Sequence, residues 1–321
     1  IGNYVKGTGR GPFESVNVKI GTSGKILVYT GAAAMGQSTR TMLSQIVAKQ
    51  LGGDMGLVEV VLGDTDGVPI GIGGSASRQT VTAGSSALLA ATEVREKLLA
   101  LAAHMLETSP EDLEIKGGEV RVKGVSDMKI SLGKLANAVG GTPGYTLPGG
   151  IEPGMEATGN FIVDDLTFAN GTQVVEVEVD TEIGHVAFLN YVIVHDSGAL
   201  INPMIVDGQV IGGAAHGIGN ALYEWMGFDE NAQPITTNFA EYLMVTATEM
   251  PAFDLSHMES PTPLNPLGVK GVGECGLVPA TAAIISAIED ALSPFGAHLA
   301  HCPVTPSEIV ALVQGGRPKQ Y

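Results

Sequence analysis

One carboxylate in a glycine-rich segment, residues 268–276, is the feature of this sequence best suited to chemistry. Glu274 is the only acidic residue between Glu259 and Glu289. Glycines let the main chain approach a ligand closely, and enclosure by protein can raise the pKa of a carboxyl group by desolvation. We therefore expect an enclosed carboxylate that acts as a general base; a loop acid that simply faces water is the plainer alternative.

The same segment contains a motif that resembles a nucleotide-binding fingerprint. Its glycines at positions 271, 273 and 276 match the pattern G-x-G-x-x-G. That fingerprint needs a hydrophobic strand directly upstream, and proline is excluded from central strands. Because Pro261, Pro263 and Pro266 precede the glycines, we do not expect a Rossmann-type site here.

The composition describes a large globular chain. The 321 residues are 44% hydrophobic and 16% charged, and the formal net charge is −17. An acidic chain is poorly suited to bind nucleic acid, whose phosphates need lysine and arginine. No apolar run approaches the roughly 20 residues of a membrane span. The length favours two subdomains, which we place at residues 1–145 and 146–321.

Cysteine and glycine contents narrow the chemistry further. The two cysteines, Cys275 and Cys302, are too few for a four-cysteine iron–sulfur cluster or a cysteine-rich zinc site. They indicate a reducing compartment or no redox role at all, and we expect a cytoplasmic protein. Cys275 lies beside Glu274, and we expect it to be a small packing residue and not a nucleophile. The 44 glycines form clusters without periodicity, which predicts several close approaches of the main chain to a large ligand or another backbone.

Hydrophobic periodicity predicts the elements that carry these segments. Alternating apolar residues predict strands within 14–31, 58–62, 113–122 and 172–194. Helical spacing predicts helices over 39–51, 81–106 and 281–292. Asn202-Pro203 predicts the start of a helix that ends near residue 224 and has small-residue faces suited to packing against another helix. We expect an α+β fold of two similar mixed α/β subdomains, joined in the Gly/Pro-rich stretch 140–158.

The glycine-rich motifs, taken in order, resemble the molybdenum-binding part of the xanthine oxidase and aldehyde oxidase family of molybdenum hydroxylases. They are TGAAAMGQ at 30–37, GDT at 63–65 with ASR at 76–78, DSGALINP at 196–203, DGQVIGGAAHGIG at 207–219 and GVGE at 271–274. TPSE at 305–308 also resembles the closing segment of the family. The resemblance extends over nearly the whole chain and implies that the two subdomains clasp a pterin cofactor.

The resemblance also implies which residues form the site. Glu274 is the implied catalytic base, which deprotonates the hydroxyl that attacks an electron-poor carbon. The implied cofactor-binding residues are Met35, Gly36, Gln37, Ala76, Ser77, Arg78, Gln209 and Gly273. The cofactor is molybdopterin, expected as the cytosine dinucleotide, and its sulfurs hold the molybdenum in place of protein side chains. Glycine-rich loops offer the main-chain donors, and glutamines the amide groups, that a polar anionic dinucleotide needs.

Several of these side chains have plainer structural alternatives. Gln37 and Gln209 can cap helices, Met35 can fill a core, and Ser77 can be the N-cap of the helix that follows it. Ser38 stands where the family usually has a glycine, and it can cap the helix that starts at residue 39. The seven histidines show no metal-ligand spacing, and we expect His195 and His216 to be structural.

The function implied by the resemblance is that of a catalytic subunit that hydroxylates an aldehyde or N-heteroaromatic carbon with water. Electrons would pass to partner chains: an iron–sulfur subunit with 2Fe–2S clusters and an FAD subunit. The other half of the molybdopterin subunit would be a further partner, as in nicotinate-dehydrogenase-like split subunits, unless the sequence is a fragment of a longer chain. Oxidation of carbon monoxide, reductive removal of a ring hydroxyl group and a non-catalytic assembly role are the alternatives.

Overall fold

The computed structural model describes residues 1–64, 66–140, 147 and 150–315. The strands are β1 (Gly2–Thr8), β2 (Ser15–Ile20), β3 (Ile26–Thr30), β4 (Val58–Leu62), β5 (Leu113–Lys116), β6 (Glu119–Val122), β7 (Lys129–Ser131), β8 (Glu156–Asn160), β9 (Thr167–Val179), β10 (Val186–Asp196) and β11 (Asp254–His257). The helices are α1 (Thr39–Gln50), α2 (Ser85–Leu106), α3 (Leu132–Ala138), α4 (Pro203–Leu222), α5 (Ala280–Ala291) and α6 (Pro306–Val313). None of the helices in these ranges has the length and apolar character that a membrane crossing requires.

The first sheet has the strand order β4-β3-β2-β8 and packs against α1 and α2. β3 pairs antiparallel with β2 and parallel with β4, and the alternation of β2 buries Val16, Val18 and Ile20 in the core. α2 approaches β8 very closely, because a Cβ at Gly159 would lie only 2.1 Å from the carbonyl oxygen of Ser86. A small antiparallel sheet, β5-β6-β7, and α3 complete this half of the molecule.

The second sheet has the strand order β1-β9-β10-β11 and supports α4 and α5. Its two long central strands are antiparallel, and β11 joins β10 in parallel. The core beneath α4 and α5 contains Tyr191 and Ile193 from β10, Val210 and Ile218 from α4, and Ile284 from α5. This sheet therefore forms a second hydrophobic core, separate from the first.

The two halves exchange one strand each. β1, at the start of the chain, pairs with β9 in the second sheet, while β8 pairs with β2 in the first sheet. The predicted division into residues 1–145 and 146–321 does not include this exchange, and it stays a prediction. Of the predicted junction 140–158, residues 141–146 and 148–149 lie outside the described residues, and so does Thr65 of the GDT motif.

The prediction of a mixed helix-and-strand fold is confirmed, as are most individual elements. The predicted helix start at Asn202 is confirmed by its side-chain oxygen, which accepts a hydrogen bond from the Ile205 N–H at 3.2 Å. The small-residue face of α4 that contains Gly217 packs against another helix as expected, because a Cβ at Gly217 would lie 2.2 Å from the Cβ of Ala280 in α5. By contrast, a Cβ added at Gly208 or Gly212 would have no described atom within 4 Å, so this second small-residue face of α4 is open.

Candidate functional site

A cavity of about 620 Å³ brings the glycine-rich segments of both halves together. Its wall is built from the loop before α1, the turn before α2, the start of α4 and the loop before α5. All of the site residues expected from the sequence line it: Met35, Gly36, Gln37, Ala76, Ser77, Arg78, Gln209, Gly273 and Glu274. Ligand-binding cavities are typically ~300–1,000 Å³, so the volume suits a substantial small molecule.

Glu274 lies at the wall of this cavity and is held by two donors. Its Oε2 accepts a hydrogen bond from the Ser77 hydroxyl at 2.9 Å and lies 2.7 Å from the ammonium nitrogen of Lys6. The side chain is 44% exposed, so it is only half enclosed. Among the described residues, no hydrogen bond is made to its second oxygen, Oε1, which leaves that atom available to a ligand.

The ionisation of Glu274 differs from the expectation. Burial alone would raise its pKa, but the hydrogen bonds from Lys6 and Ser77, together with the positive charge of Lys6, lower it below the ordinary value for a glutamate. The expected rise by desolvation is therefore wrong in direction, because the sequence does not reveal that a lysine from β1 lies beside the carboxylate. The group is an ionised carboxylate at neutral pH, which is the form that a general base requires.

Glycine is required on both sides of Glu274. A Cβ at Gly271 would lie 2.1 Å from the carbonyl oxygen of Ser77, and one at Gly276 would lie 2.0 Å from the carbonyl oxygen of Val210 in α4. The loop is thus clamped between the turn at residues 76–77 and α4. In addition, the Gly271 N–H donates to the Thr8 hydroxyl at 2.8 Å, which ties the loop to β1.

The turn that contacts the loop has a strained backbone. Ala76 and Ser77 have φ values of 56° and 50°, in the left-handed region that residues with a Cβ rarely adopt. Each such residue costs about 1–3 kcal/mol, and such strain clusters at binding and catalytic sites. The Ser77 hydroxyl donates to Glu274 and makes no cap on the following helix, which excludes the alternative of an N-cap role for Ser77.

The buried side chain of Arg78 holds the segments around this turn together. Its guanidinium is 1% exposed and donates to the carbonyl oxygens of Arg10, Phe13 and Gly73 and to the carboxylate of Glu14. Since these partners occupy the guanidinium, only the main chain of Arg78 is left for the cofactor contact expected from the sequence. Glu14, which the sequence did not single out, also accepts hydrogen bonds from two main-chain N–H groups of the 72–73 segment, at 2.9 and 3.2 Å.

Gln37 closes its own loop. Its side-chain oxygen accepts from the Met35 N–H at 2.6 Å, and its side-chain nitrogen donates to Gln79 at 2.6 Å and to the Ala33 carbonyl at 3.2 Å. Gln79 binds the same carbonyl at 2.9 Å and accepts from the Thr39 hydroxyl at 2.9 Å. Gln37 is therefore not a helix cap, and Gln79 is a second loop-shaping amide that the sequence did not reveal.

The structure excludes two plainer alternatives for this loop, core filling by Met35 and capping by Ser38. Met35 is 67% exposed at the cavity wall, so it does not fill the core. Ser38 occupies the N-cap position of α1, but it has a φ of 62° and its side chain makes no capping hydrogen bond. The loop therefore projects Met35 and Gly36 toward the cavity and is held by amide hydrogen bonds in place of a serine cap.

Gln209 offers a free amide to the cavity. It lies in the second turn of α4, and its side chain makes no hydrogen bond with the part of the chain that the structure describes. Its Oε1 would be 3.4 Å from a Cβ at Gly273, which places the amide next to the glutamate loop. Since a glutamine amide both donates and accepts, this group can bind a polar ligand, and it is not a helix cap.

Cys275 and the histidines lie outside the chemistry of the cavity. Cys275 is buried in a small cluster with Tyr4 and Ala169, and burial raises the pKa of its thiol to about 11. This confirms a packing role, because the reactive form of cysteine is the thiolate. Elsewhere in the molecule, three side chains form a hydrogen-bonded row. His195 contacts His257 at 2.7 Å between ring nitrogens, and His257 contacts an Asp207 oxygen at 2.6 Å.

When both imidazole rings are neutral, these histidine contacts are compatible with one arrangement of protons. Asp207 is an acceptor, so His257 donates through Nε2, and its Nδ1 then accepts from Nε2 of His195. Burial, followed by the charge of His257, lowers the pKa of His195 to about 4. The neutral His195 is structural, as expected; His216 is exposed on α4, and its structural role stays a prediction. Over the described ranges, no group of three or more His, Cys, Asp or Glu side chains is arranged to hold a metal ion.

Separate comparisons with known proteins agree on one family. A family model described as a molybdopterin cofactor-binding domain matches residues 1–251. The chain is 40% identical over 316 residues to the gamma subunit of the 6-hydroxypseudooxynicotine dehydrogenase complex of Paenarthrobacter nicotinovorans, covering 98% of this chain and 39% of the relative. It is 32% identical over 288 residues to the carbon monoxide dehydrogenase large chain of Hydrogenophaga pseudoflava, covering 90% of this chain and 35% of the relative.

A solved structure supports the same grouping. Quinoline 2-oxidoreductase from Pseudomonas putida 86 is similar with a TM-score of 0.87 and 34% identity, and the match covers 98% of this chain and 42% of that one. The chain thus spans about two-fifths of the length of the relatives that it matches.

Proposed function

Because the chain belongs to the molybdopterin-binding part of the xanthine oxidase family of molybdenum hydroxylases, we propose that its cavity holds the molybdenum cofactor with Glu274 as the general base. We further propose that the assembled enzyme hydroxylates an N-heteroaromatic or aldehyde carbon. One observation carries the proposal: segments far apart in sequence, which contain Gln37, Ser77, Gln209 and Glu274, line one cavity. The names of two relatives, which refer to 6-hydroxypseudooxynicotine and to quinoline, favour an N-heteroaromatic substrate over an aldehyde.

The residues present fit a large polar cofactor. Gly36 has a φ of 100°, and a Cβ added there would have no described atom within 4 Å, so the first loop leaves open space above its backbone. The free amide of Gln209 faces the same cavity, and a side chain at Gly273 would come within 3.4 Å of it. When bound, the cofactor supplies the two-electron redox chemistry. We propose the cytosine dinucleotide as its form.

The contributions of this chain are binding, orientation and proton transfer. Gln209 would bind a polar edge of the cofactor, and the loop closed by Gln37 would present main-chain donors to it. Glu274 would accept the proton of the attacking hydroxyl at Oε1, since Oε2 already has two donors. The lowered pKa keeps the carboxylate ionised and ready to accept that proton well below neutral pH.

The proposal includes partner chains that carry 2Fe–2S clusters and FAD, the remaining part of the molybdopterin subunit, and a cytoplasmic location. The two cysteines, both free, are too few to ligate such clusters in this chain. The irregular segment between α4 and β11 exposes Phe228, Phe239 and Met244, the second of them to 80%. Exposed apolar groups of this kind are typical of a surface that another chain covers. One relative is also described as a subunit of a complex.

Carbon monoxide oxidation is the second candidate, because a carbon monoxide dehydrogenase large chain is among the relatives. Turnover of quinoline and pyridine compounds compared with turnover of carbon monoxide, by the same purified complex, separates the two reactions. A non-catalytic assembly role is disfavoured by the strained turn at Ala76 and Ser77. Such strain costs about 1–3 kcal/mol per residue and is kept where it positions functional groups.

The experiment that tests the base is the change Glu274→Gln in the intact complex. Without a proton acceptor, kcat should fall by about 10²–10⁴-fold while the molybdenum content stays at the unmodified level. Glu178→Gln, a change at a glutamate of β9 outside the cavity, is the matched control and should leave turnover unchanged. Normal turnover by Glu274→Gln would show that Glu274 is not the base.

A further inference from the structure

Lys6 is the one cation in contact with the proposed base among the described residues. Its side chain is 18% exposed, and its ammonium nitrogen lies 2.7 Å from Oε2 of Glu274. A lysine that is largely buried requires an anionic partner, since burial of an unpaired charge is costly. Lys6 makes one other hydrogen bond within the described part of the chain, a long contact of 3.4 Å to the carbonyl oxygen of Gly7. The carboxylate of Glu274 is therefore what keeps the ammonium group in this position.

The position of Lys6 is fixed by the sheet. β1 pairs with β9 over its whole length, with Lys6 opposite Ala169. Tyr4, two residues earlier on the same face of β1, packs against Cys275, the residue after the base. One face of β1 thus contacts two consecutive residues of the glutamate loop. The ammonium group is delivered by a rigid element and not by a loop.

We propose that Lys6 is a positioning residue for Glu274: together with Ser77 it holds Oε2 of the carboxylate and so presents Oε1 to the cavity as the atom that accepts the proton. This inference rests on the proposed function of Glu274. No assignment of a role to Lys6 follows from the glycine-rich motifs, because it lies outside all of them.

The charges around Lys6 and Glu274 support this role of Lys6. A neighbouring ion pair, between Lys270 and Asp196 at 2.8 Å, is largely buried and self-contained. Lys6 is therefore the cation that offsets the charge of Glu274. Burial alone would raise the pKa of Glu274, but the hydrogen bonds from Lys6 and Ser77 lower it. Loss of the ammonium group would leave Ser77 as the only donor to the carboxylate within the described chain. The desolvation of Glu274 would then outweigh this one hydrogen bond, and the pKa of Glu274 would rise.

The test compares Lys6→Met with Lys6→Arg in the purified complex. In Lys6→Met the acid limb of the kcat/KM profile should move to higher pH, and kcat/KM at the optimum should fall roughly 10-fold to 100-fold, the value of one lost hydrogen bond to a charged group. Lys6→Arg keeps the charge and should restore the position of the acid limb. Lys19→Met, at an exposed lysine that faces Glu156 at 3.6 Å, is the control and should change neither quantity.

A readout independent of turnover measures the carboxylate itself. Infrared titration of the complex containing ¹³C-labelled glutamate, with the Glu274→Gln spectrum subtracted, follows the protonation of Glu274 directly. The expected result is a higher midpoint in Lys6→Met than in the unmodified protein, with unchanged molybdenum content. Lys6→Gln provides a second neutral variant if Lys6→Met does not assemble.

The outcomes separate the two proposals. An unchanged carboxylate midpoint and acid limb in the neutral variants, with Glu274→Gln inactive, would overturn the role of Lys6 and leave the base intact. Normal turnover by Glu274→Gln would overturn the proposed function, and the infrared titration would still report whether Lys6 controls the carboxylate.

Discussion

Replacement of Arg78 by methionine should be among the most damaging single changes in the first half of the molecule. Arg78 and Glu14 are 1% and 0% exposed, and they form an ion pair behind the strained turn of the site. Methionine fills a similar volume but removes the charge and every donor. The Glu14 carboxylate would keep only its two main-chain donors from the 72–73 segment, and its Oε2 has no hydrogen-bond partner in the described structure even now.

The magnitude follows from the burial of this pair. Removal of one member of a buried ion pair costs about 3–5 kcal/mol, because the other charge stays buried without its partner. For a chain of this size each kcal/mol lowers the unfolding temperature by about 2–4 °C, so we expect a decrease of roughly 6–20 °C. The segment from residue 72 to residue 78 should lose its shape together with the pair, and the molybdenum content should fall.

Calorimetry of the purified complex measures the effect. The control is Lys19→Gln, since Lys19 and Glu156 are 50% and 47% exposed and such surface pairs contribute at most about 1 kcal/mol. The double change Glu14→Gln with Arg78→Met should recover part of the loss, because no buried charge is then left unpaired. An unfolding temperature for Arg78→Met equal to that of Lys19→Gln would refute the reasoning.

Further changes test the loop, the acid stability and the amide. Gly276→Ala should lower the free energy of unfolding in urea by about 1–3 kcal/mol, because the new Cβ would lie 2.0 Å from the Val210 carbonyl oxygen, whereas Gly208→Ala has open space and should be neutral or stabilising. His195 becomes protonated below about pH 6.5 in the unfolded chain but only near pH 4 in the folded chain, so the free energy of unfolding should fall as the pH drops through this window. The expected decrease between pH 7 and pH 5 is about 2 kcal/mol. Urea unfolding of His195→Gln should show little of this pH dependence. Gln209→Leu should reduce molybdenum per chain while the urea midpoint stays unchanged, since its side chain has no partner in the described structure; full molybdenum content would contradict its assignment.

The elements could be predicted because their burial follows local periodicity. The alternation of Val16, Val18 and Ile20 and the helical spacing in α1 and α2 depend only on neighbours in sequence. The strand exchange between the halves has no such signal. β1 and β8 pair with strands more than 130 residues away, and nothing in their own sequences distinguishes one sheet from the other.

The residues that line the candidate site could be predicted, but the electrostatics of the site could not. Glycine-rich motifs identify the segments that line the cavity because close backbone approach restricts the residue type. Lys6, Glu14 and Gln79 carry no comparable constraint, since each acts through contacts to distant segments: 6 with 274, 14 with 78 and 79 with 37. The pKa of Glu274 depends on the first of these contacts, so the direction of its shift could not be inferred from the loop alone.

The central claim is that the cavity beside Glu274 holds a molybdenum cofactor. Elemental mass spectrometry of the complex purified from its source measures molybdenum per chain most directly. We predict about one molybdenum for each copy of this chain. No molybdenum in an intact complex with all partner chains present would contradict the proposal, and Glu274 would then be an ordinary loop carboxylate paired with Lys6.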